Sequence, residues 1–214
     1  MHRSQPFPNP LPLQLQLSSM AKASIVLLLL LPIVYFVSTA KSSSTTTPTN
    51  FIRDSCSATT YPEVCIKSLS SYASSIKQSP RQLAQAALSV SLTKAQSAKT
   101  FVTKLAKFKG LKSREYGAIK DCMEEIGDTV DRLSKSVQEL KNMGKSKGQD
   151  FLWHMSNVET WVSAALTDDN TCLDGFSGKT LNGKIKSAVR AQVLNVAQCT
   201  SNALSLCNRF AGKH

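Results

Sequence analysis

The sequence predicts an all-α fold: an antiparallel, up-down-up-down four-helix bundle preceded by a short helical hairpin. Three observations carry this. Apolar residues recur at spacings of three and four through four long segments. The connections between them are short, which places consecutive helices side by side and antiparallel. No alternating β-branched run is long enough to form a strand.

Residues 1–40 read as targeting sequence. They contain no acid, and Met20-Ala21-Lys22 leads into Ile25–Val37, a mostly apolar run of thirteen residues broken by Pro32. Ser38-Thr39-Ala40 supplies the small residues a signal peptidase reads. A permanent anchor needs about 20 apolar residues. A signal peptide cleaved after Ala40 is therefore expected, with no stable membrane insertion afterwards. Met1 and Met20 are alternative starts. All six cysteines lie beyond residue 40, where export makes them disulfide candidates. The chain carries +12; without Arg3 and Lys22 it keeps 24 basic against 14 acidic residues, a net of +10. Such a charge suits anionic polysaccharide as a non-specific partner. Nucleic acid is not expected, because zinc-finger spacing, RGG runs and aromatic-basic sheet patterns are all missing.

Residues 41–50, rich in Ser and Thr, read as a flexible linker, and 51–211 as the folded domain. Its hairpin, 51–75, comprises Ile52–Ala58 and Glu63–Leu69 around a turn at Thr59–Pro62. A bridge between Cys56 and Cys65 would pin it. The bundle, 79–210, opens at Ser79-Pro80, a good N-cap followed by a good first helical residue. That helix is expected to reach Phe108, burying Leu83, Ala87, Val90, Ala98, Phe101, Leu105 and Phe108. The second covers about Leu111–Lys141 and buries Ile119, Met123, Ile126, Val130, Leu133, Val137 and Leu140. Asp150 is expected to cap the third, whose inward side is Phe151, Met155, Val158, Val162 and Ala165. Thr167–Gly178 reads as a turn region, and the fourth helix as Leu181–Phe210. Cys199 and Cys207 are eight apart in that helix, about 12 Å, beyond the usual bridged Cα separation of about 4.4–6.8 Å. They are expected to be buried free thiols.

Twelve of the fourteen acidic residues fall between Glu115 and Asp174, although the chain as a whole is basic. Asp121, Glu124, Asp128 and Asp131 recur at helical spacing, with Asp121 about 160° from Met123, so they line the face opposite the core. Cys122 falls between the two faces. A bridge from Cys122 to Cys172 would tie neighbouring helices and bring Thr171 and Asp174 beside this stripe. The plain account of the stripe is a solvated helix face; the functional one is a rigid negative surface that docks a complementary protein.

Catalysis has little support. His2 lies in the targeting region, His214 is the last residue, and His154 reads as a helix-boundary or surface residue. Gly175–Thr180 superficially resembles a phosphate loop, but Leu173 stands where its first glycine is required. The acids lack the loop spacing of a calcium site, and outward carboxylates without histidines do not make a di-metal bundle. No cofactor or metal is expected. Trp153 and Trp161 read as packing residues, Trp161 nearer the core.

Cys56-x8-Cys65, then Asp121-Cys122 followed by Glu124, then Asn157–Asp168, Asn170–Phe176 and Ala191–Ala197 together resemble the plant invertase and pectin methylesterase inhibitor family. The resemblance covers residues 50–211. It implies a hairpin outside a four-helix bundle, with disulfides Cys56–Cys65 and Cys122–Cys172. It implies a secreted, non-enzymatic inhibitor of the apoplast or cell wall that forms a 1:1 complex over the esterase's substrate cleft. By similarity the contact residues are Glu124, Asp128, Asp131, Thr171 and Asp174. The invertase-inhibiting branch carries Pro-Lys-Phe, which this sequence lacks, so pectin methylesterase is the expected target. An invertase inhibitor and a non-inhibitory cell-wall helical module are the alternatives. The domain also precedes esterase catalytic domains, but the sequence ends at His214 without one, so a complete pro-esterase is not expected. The basic surface would associate weakly with anionic pectin.

Overall fold

A computed structural model describes residues 47–178 and 183–213, and within it each proline opens a helix. Proline suits that position because its missing N–H would have no partner in a first turn. Helix α1 spans Pro48–Cys56 and α2 Pro62–Leu69; a 3-10 turn, Ser70–Tyr72, leads into α3, Ala73–Ile76. The long helices are α4 (Pro80–Ala106), α5 (Ser113–Asn142), α6 (Gly148–Gly175) and α7 (Lys184–Ala211). Consecutive long helices pack as neighbours and α7 closes the ring against α4, which gives the up-down-up-down bundle. Residues 1–40, read above as targeting sequence, lie outside the described residues, as do Leu181 and Asn182 at the expected start of the last helix.

Helix ends follow local chemistry. The Ser79 hydroxyl accepts from the Gln82 N–H, capping α4. Glu115 reaches back to accept from the Lys112 N–H at 2.9 Å, doing the same for α5. At the far end of α5, Arg81 donates to the carbonyls of Leu140 and Lys141, acceptors that the helix itself leaves open, and to that of Gly144 in the turn beyond. Gly144 turns the chain there with φ 55°, a conformation that a side chain would strain.

The core is continuous through the four long helices. Ile119, Ile126, Leu133 and Leu140 of α5 are fully buried, as are Val158, Val162 and Ala165 of α6 and Val189, Val193 and Ala203 of α7. Phe151 meets Phe210 edge-on at 5.5 Å near one end. The hairpin is held to this bundle by a polar clamp. Asn202 of α7, 3% exposed, accepts from the Tyr61 N–H at 3.0 Å and donates to the Tyr61 carbonyl at 2.9 Å. Arg209 adds a 2.7 Å bond to the Ser55 carbonyl. Cys56 and Cys65 are bridged, with Cα atoms 5.6 Å apart. Replacing both with alanine is expected to lower stability by roughly 2–3 kcal/mol, the loop-closure value for so short a span. Urea unfolding of the oxidised proteins reads this directly.

Four expectations need correction. Helix α1 begins at Pro48, inside the stretch read as a 41–50 linker, because Thr47 caps it by accepting from the Asn50 N–H. Phe108 is 69% exposed rather than core, since α4 stops at Ala106 and the chain turns before the stripe can continue. Asp150 does not cap α6. That helix starts at Gly148 after an extended Lys147, and Asp150 sits in its first turn, where a negative charge is favourable. The stretch from Thr167 is no turn: α6 continues to Gly175, with Cys172 and Leu173 buried against the core.

Candidate functional site

The acidic face of α5 is built by its opposite side. With the core residues fixed inward, Asp121, Glu124, Asp128 and Asp131 are left exposed. Thr171 and Asp174, on the last turns of α6, are exposed as well. Cys122 does not lie between faces; it is 1% exposed and bridged to Cys172, with Cα atoms only 4.4 Å apart. The bridge thus joins the stretch carrying Asp121 and Glu124 to the stretch carrying Thr171 and Asp174. Asp131 is the farthest member, about 15 Å along α5 from Asp121.

Three further residues belong to this face, and sequence reasoning gave them no role. Arg132 stands between α5 and α6. Its Nε lies 2.7 Å from Asp168 Oδ2, a close ion contact whose angle falls short of a hydrogen bond, and its Nη2 lies 3.8 Å from Asp128 Oδ2. Asp128 and Arg132 are four apart, a spacing that signals a helical ion pair; nothing local pointed to Asp168, thirty-six residues beyond Arg132 on α6. Glu125 is the third. Partial burial pushes its carboxyl above the usual range, repulsion from Asp168, Asp128 and Glu124 adds to the rise, and Arg132 opposes it. Burial also raises Asp168, with Arg132 pulling the other way and Asp128 adding to the rise. Around Arg132 the carboxylates of Glu125, Asp128 and Asp168 outnumber the one guanidinium set among them, and a cationic partner would relieve that crowding.

Beneath it lies a buried polar layer. Asp169, 0% exposed, accepts from the Thr129 hydroxyl of α5 at 2.9 Å. Burial pushes its carboxyl up to about 7, against the pull of the Thr129 and Thr200 hydroxyls and with a small further rise from Asp168. The layer thus links α5, α6 and α7 under the exposed carboxylates. His154, near the start of α6, is likewise a structural residue: its Nδ1 lies 2.9 Å from Glu139 Oε1, which also accepts from Asn157 Nδ2 at 3.0 Å. Trp161 is partly buried, whereas Trp153 is 61% exposed. Cys199 and Cys207 are buried free thiols; burial raises both, Cys207 to about 12.

A family model described as "Plant invertase/pectin methylesterase inhibitor" matches residues 50–206. A Daucus carota protein called "21 kDa protein" is 58% identical over 174 residues, covering 81% of this chain and 90% of its own. "Pectinesterase inhibitor 11" of Arabidopsis thaliana is 57% identical over 166 residues, covering 77% and 82%. Among solved structures, a mutant form of a pectin methylesterase inhibitor from Arabidopsis superposes with a TM-score of 0.59 at 20% identity, over 72% of this chain and 92% of that one. That likeness speaks to the fold.

Proposed function

The chain belongs to the plant invertase/pectin methylesterase inhibitor family, and from that premise we propose that it is an exported inhibitor of plant pectin methylesterase. It forms a 1:1 complex in the apoplast or cell wall, with the α5–α6 face laid across the enzyme's substrate cleft. The observation that carries this reading is the joining of Glu124, Asp128 and Asp131 to Thr171 and Asp174 through the Cys122–Cys172 bridge, on helices rather than loops.

Inhibition is by steric exclusion. The face offers carboxylates and a hydroxyl to Lys, Arg or N–H groups bordering the cleft, and it keeps the polymer out without entering the chemistry. Asp128 is available for this. Its pair with Arg132 spans 3.8 Å with a side chain 58% exposed, a contact worth about 1 kcal/mol or less. Surplus negative charge also speeds encounter with a basic target rim. The overall positive charge adds a weak attraction to anionic pectin, separate from inhibition.

Titrating the exported domain against a plant pectin methylesterase and an acid invertase tests the reading. Loss of esterase activity at one equivalent, with hexose release by invertase unaffected, is the expected result; loss of neither activity supports the non-inhibitory wall module. Changing Asp128 and Asp131 together to Asn is expected to weaken esterase inhibition by tenfold or more, about 1.4 kcal/mol. The melting temperature should hold, since both residues are exposed. An unchanged inhibition titration for that double variant removes this face from the contact.

A further inference from the structure

The strongest feature left unused by the docking face lies at the other end of the bundle. There the start of α4, the α5–α6 connection and the end of α7 frame a half-open cavity of about 600 Å³. Arg81, Lys145, Lys147 and Lys213 line it, and the buried rings of Phe151 and Phe210 contribute to its floor. Among the described residues no carboxylate lines it. Arg81 is fixed to the carbonyls that end α5, which leaves the three lysines, all exposed, to set the positive charge around the mouth. Four like charges around one concavity repel one another, and an anion placed among them relieves that repulsion.

We propose that this cavity binds a de-esterified uronate chain, the carboxylate-bearing polymer that an esterase leaves behind. The choice of ligand class rests on the reading of the protein as an esterase inhibitor; the anionic character of the ligand rests on the cavity alone. The volume is that of a site for a small organic molecule rather than a lone ion. The charges come from three separate segments, so they match carboxylates repeated along a chain. Lysines, as flexible point charges, follow such a repeat without needing the fixed fork of an arginine. The lysine stems and the ring edges give the C–H faces of the sugars an apolar bed. The cavity opens at the Gly148 end of α6, and Asp174 lies 26 residues away at the other end, about 39 Å along the helix. A chain held here leaves the Thr171–Asp174 end of the docking face free, so the protein can hold polymer and enzyme together.

The test is calorimetric titration of the whole exported domain with a de-esterified oligogalacturonate of about ten sugars, at low salt where such contacts are strongest. Its fully methyl-esterified counterpart is the neutral probe. The triple variant Lys145→Glu, Lys147→Glu, Lys213→Glu is compared with Lys104→Glu, Lys107→Glu, Lys109→Glu, which makes the same charge change at the other end of α4. The expected result is binding of the acid chain only, weakened at least tenfold by the first triple and less than twofold by the second. Equal weakening by both, or no binding by the unmodified protein, overturns the proposal. Esterase inhibition is measured in parallel on a short soluble substrate. If the unmodified protein fails to inhibit, the docking reading fails by itself while the binding comparison still decides the cavity.

Discussion

Replacing Cys122 and Cys172 with alanine is expected to cost about 4 kcal/mol of stability, on the chain-entropy value for a loop of fifty residues. This is more than the hairpin bridge, because the loop is longer. The bridge cross-links two buried positions, 1% and 2% exposed, so loss of sulfur packing adds to the loss of the link. Urea unfolding of this variant beside the Cys56/Cys65 variant measures both under one condition. The longer loop should give the larger shift in midpoint, and a reversed order would mean that residual structure in the unfolded chain governs the outcome. Inhibition should also weaken beyond what unfolding explains, because the bridge sets where Thr171 and Asp174 stand beside α5.

Asp169→Asn is expected to abolish most of the pH dependence of stability that the raised Asp169 carboxyl confers on the unmodified protein. The carboxyl titrates near 3.8 when unfolded and near 7 when folded, so the folded state holds the proton more tightly. Its contribution is therefore full below about pH 4 and is lost as pH rises through 7. At 1.36 kcal/mol per pH unit, the difference between those limits is on the order of 4 kcal/mol. The raised carboxyls of Asp168, Glu159 and Glu125 act in the same direction. Glu139 acts in the other. Burial would raise it, but hydrogen bonds from Asn157 and His154 overcome that and hold it low, so its contribution is lost as pH falls. Urea unfolding at pH 4.5, 6 and 7.5 should show a falling midpoint for the unmodified protein and a flatter one for the Asn variant. Parallel curves would mean that Asp169 is not the titrating group.

The bundle was legible because apolar spacing is written locally. Ile119, Ile126, Leu133 and Leu140 recur every seven residues, and burying them turns Asp121, Glu124, Asp128 and Asp131 outward. Local composition misled over the first part of Thr167–Gly178, which is helical as far as Gly175. Asn, Thr, Asp and Gly are weak helix formers, so the stretch looked like a turn. Burial of Cys172 and Leu173 and the bridge to α5 override that preference, and the Thr171 hydroxyl bonds back to the Thr167 carbonyl at 2.9 Å. Cys122 was misplaced between faces for a related reason: nothing in α5 alone says where the neighbouring helix lies. The Arg132–Asp168 contact and the Asp169 layer were hidden in the same way, since each joins residues on different helices. The cavity, assembled from α4, the α5–α6 connection and α7, has no local signature.

The helical state of Thr171–Asp174 bears on binding entropy. A flexible loop must lose backbone freedom when a partner orders it, at about 1–2 kcal/mol per residue. In this protein those residues have already lost it during folding, and a covalent link holds them in place. If a partner docks there as proposed, its contacts are offset mainly by the restriction of side chains rather than by the ordering of backbone.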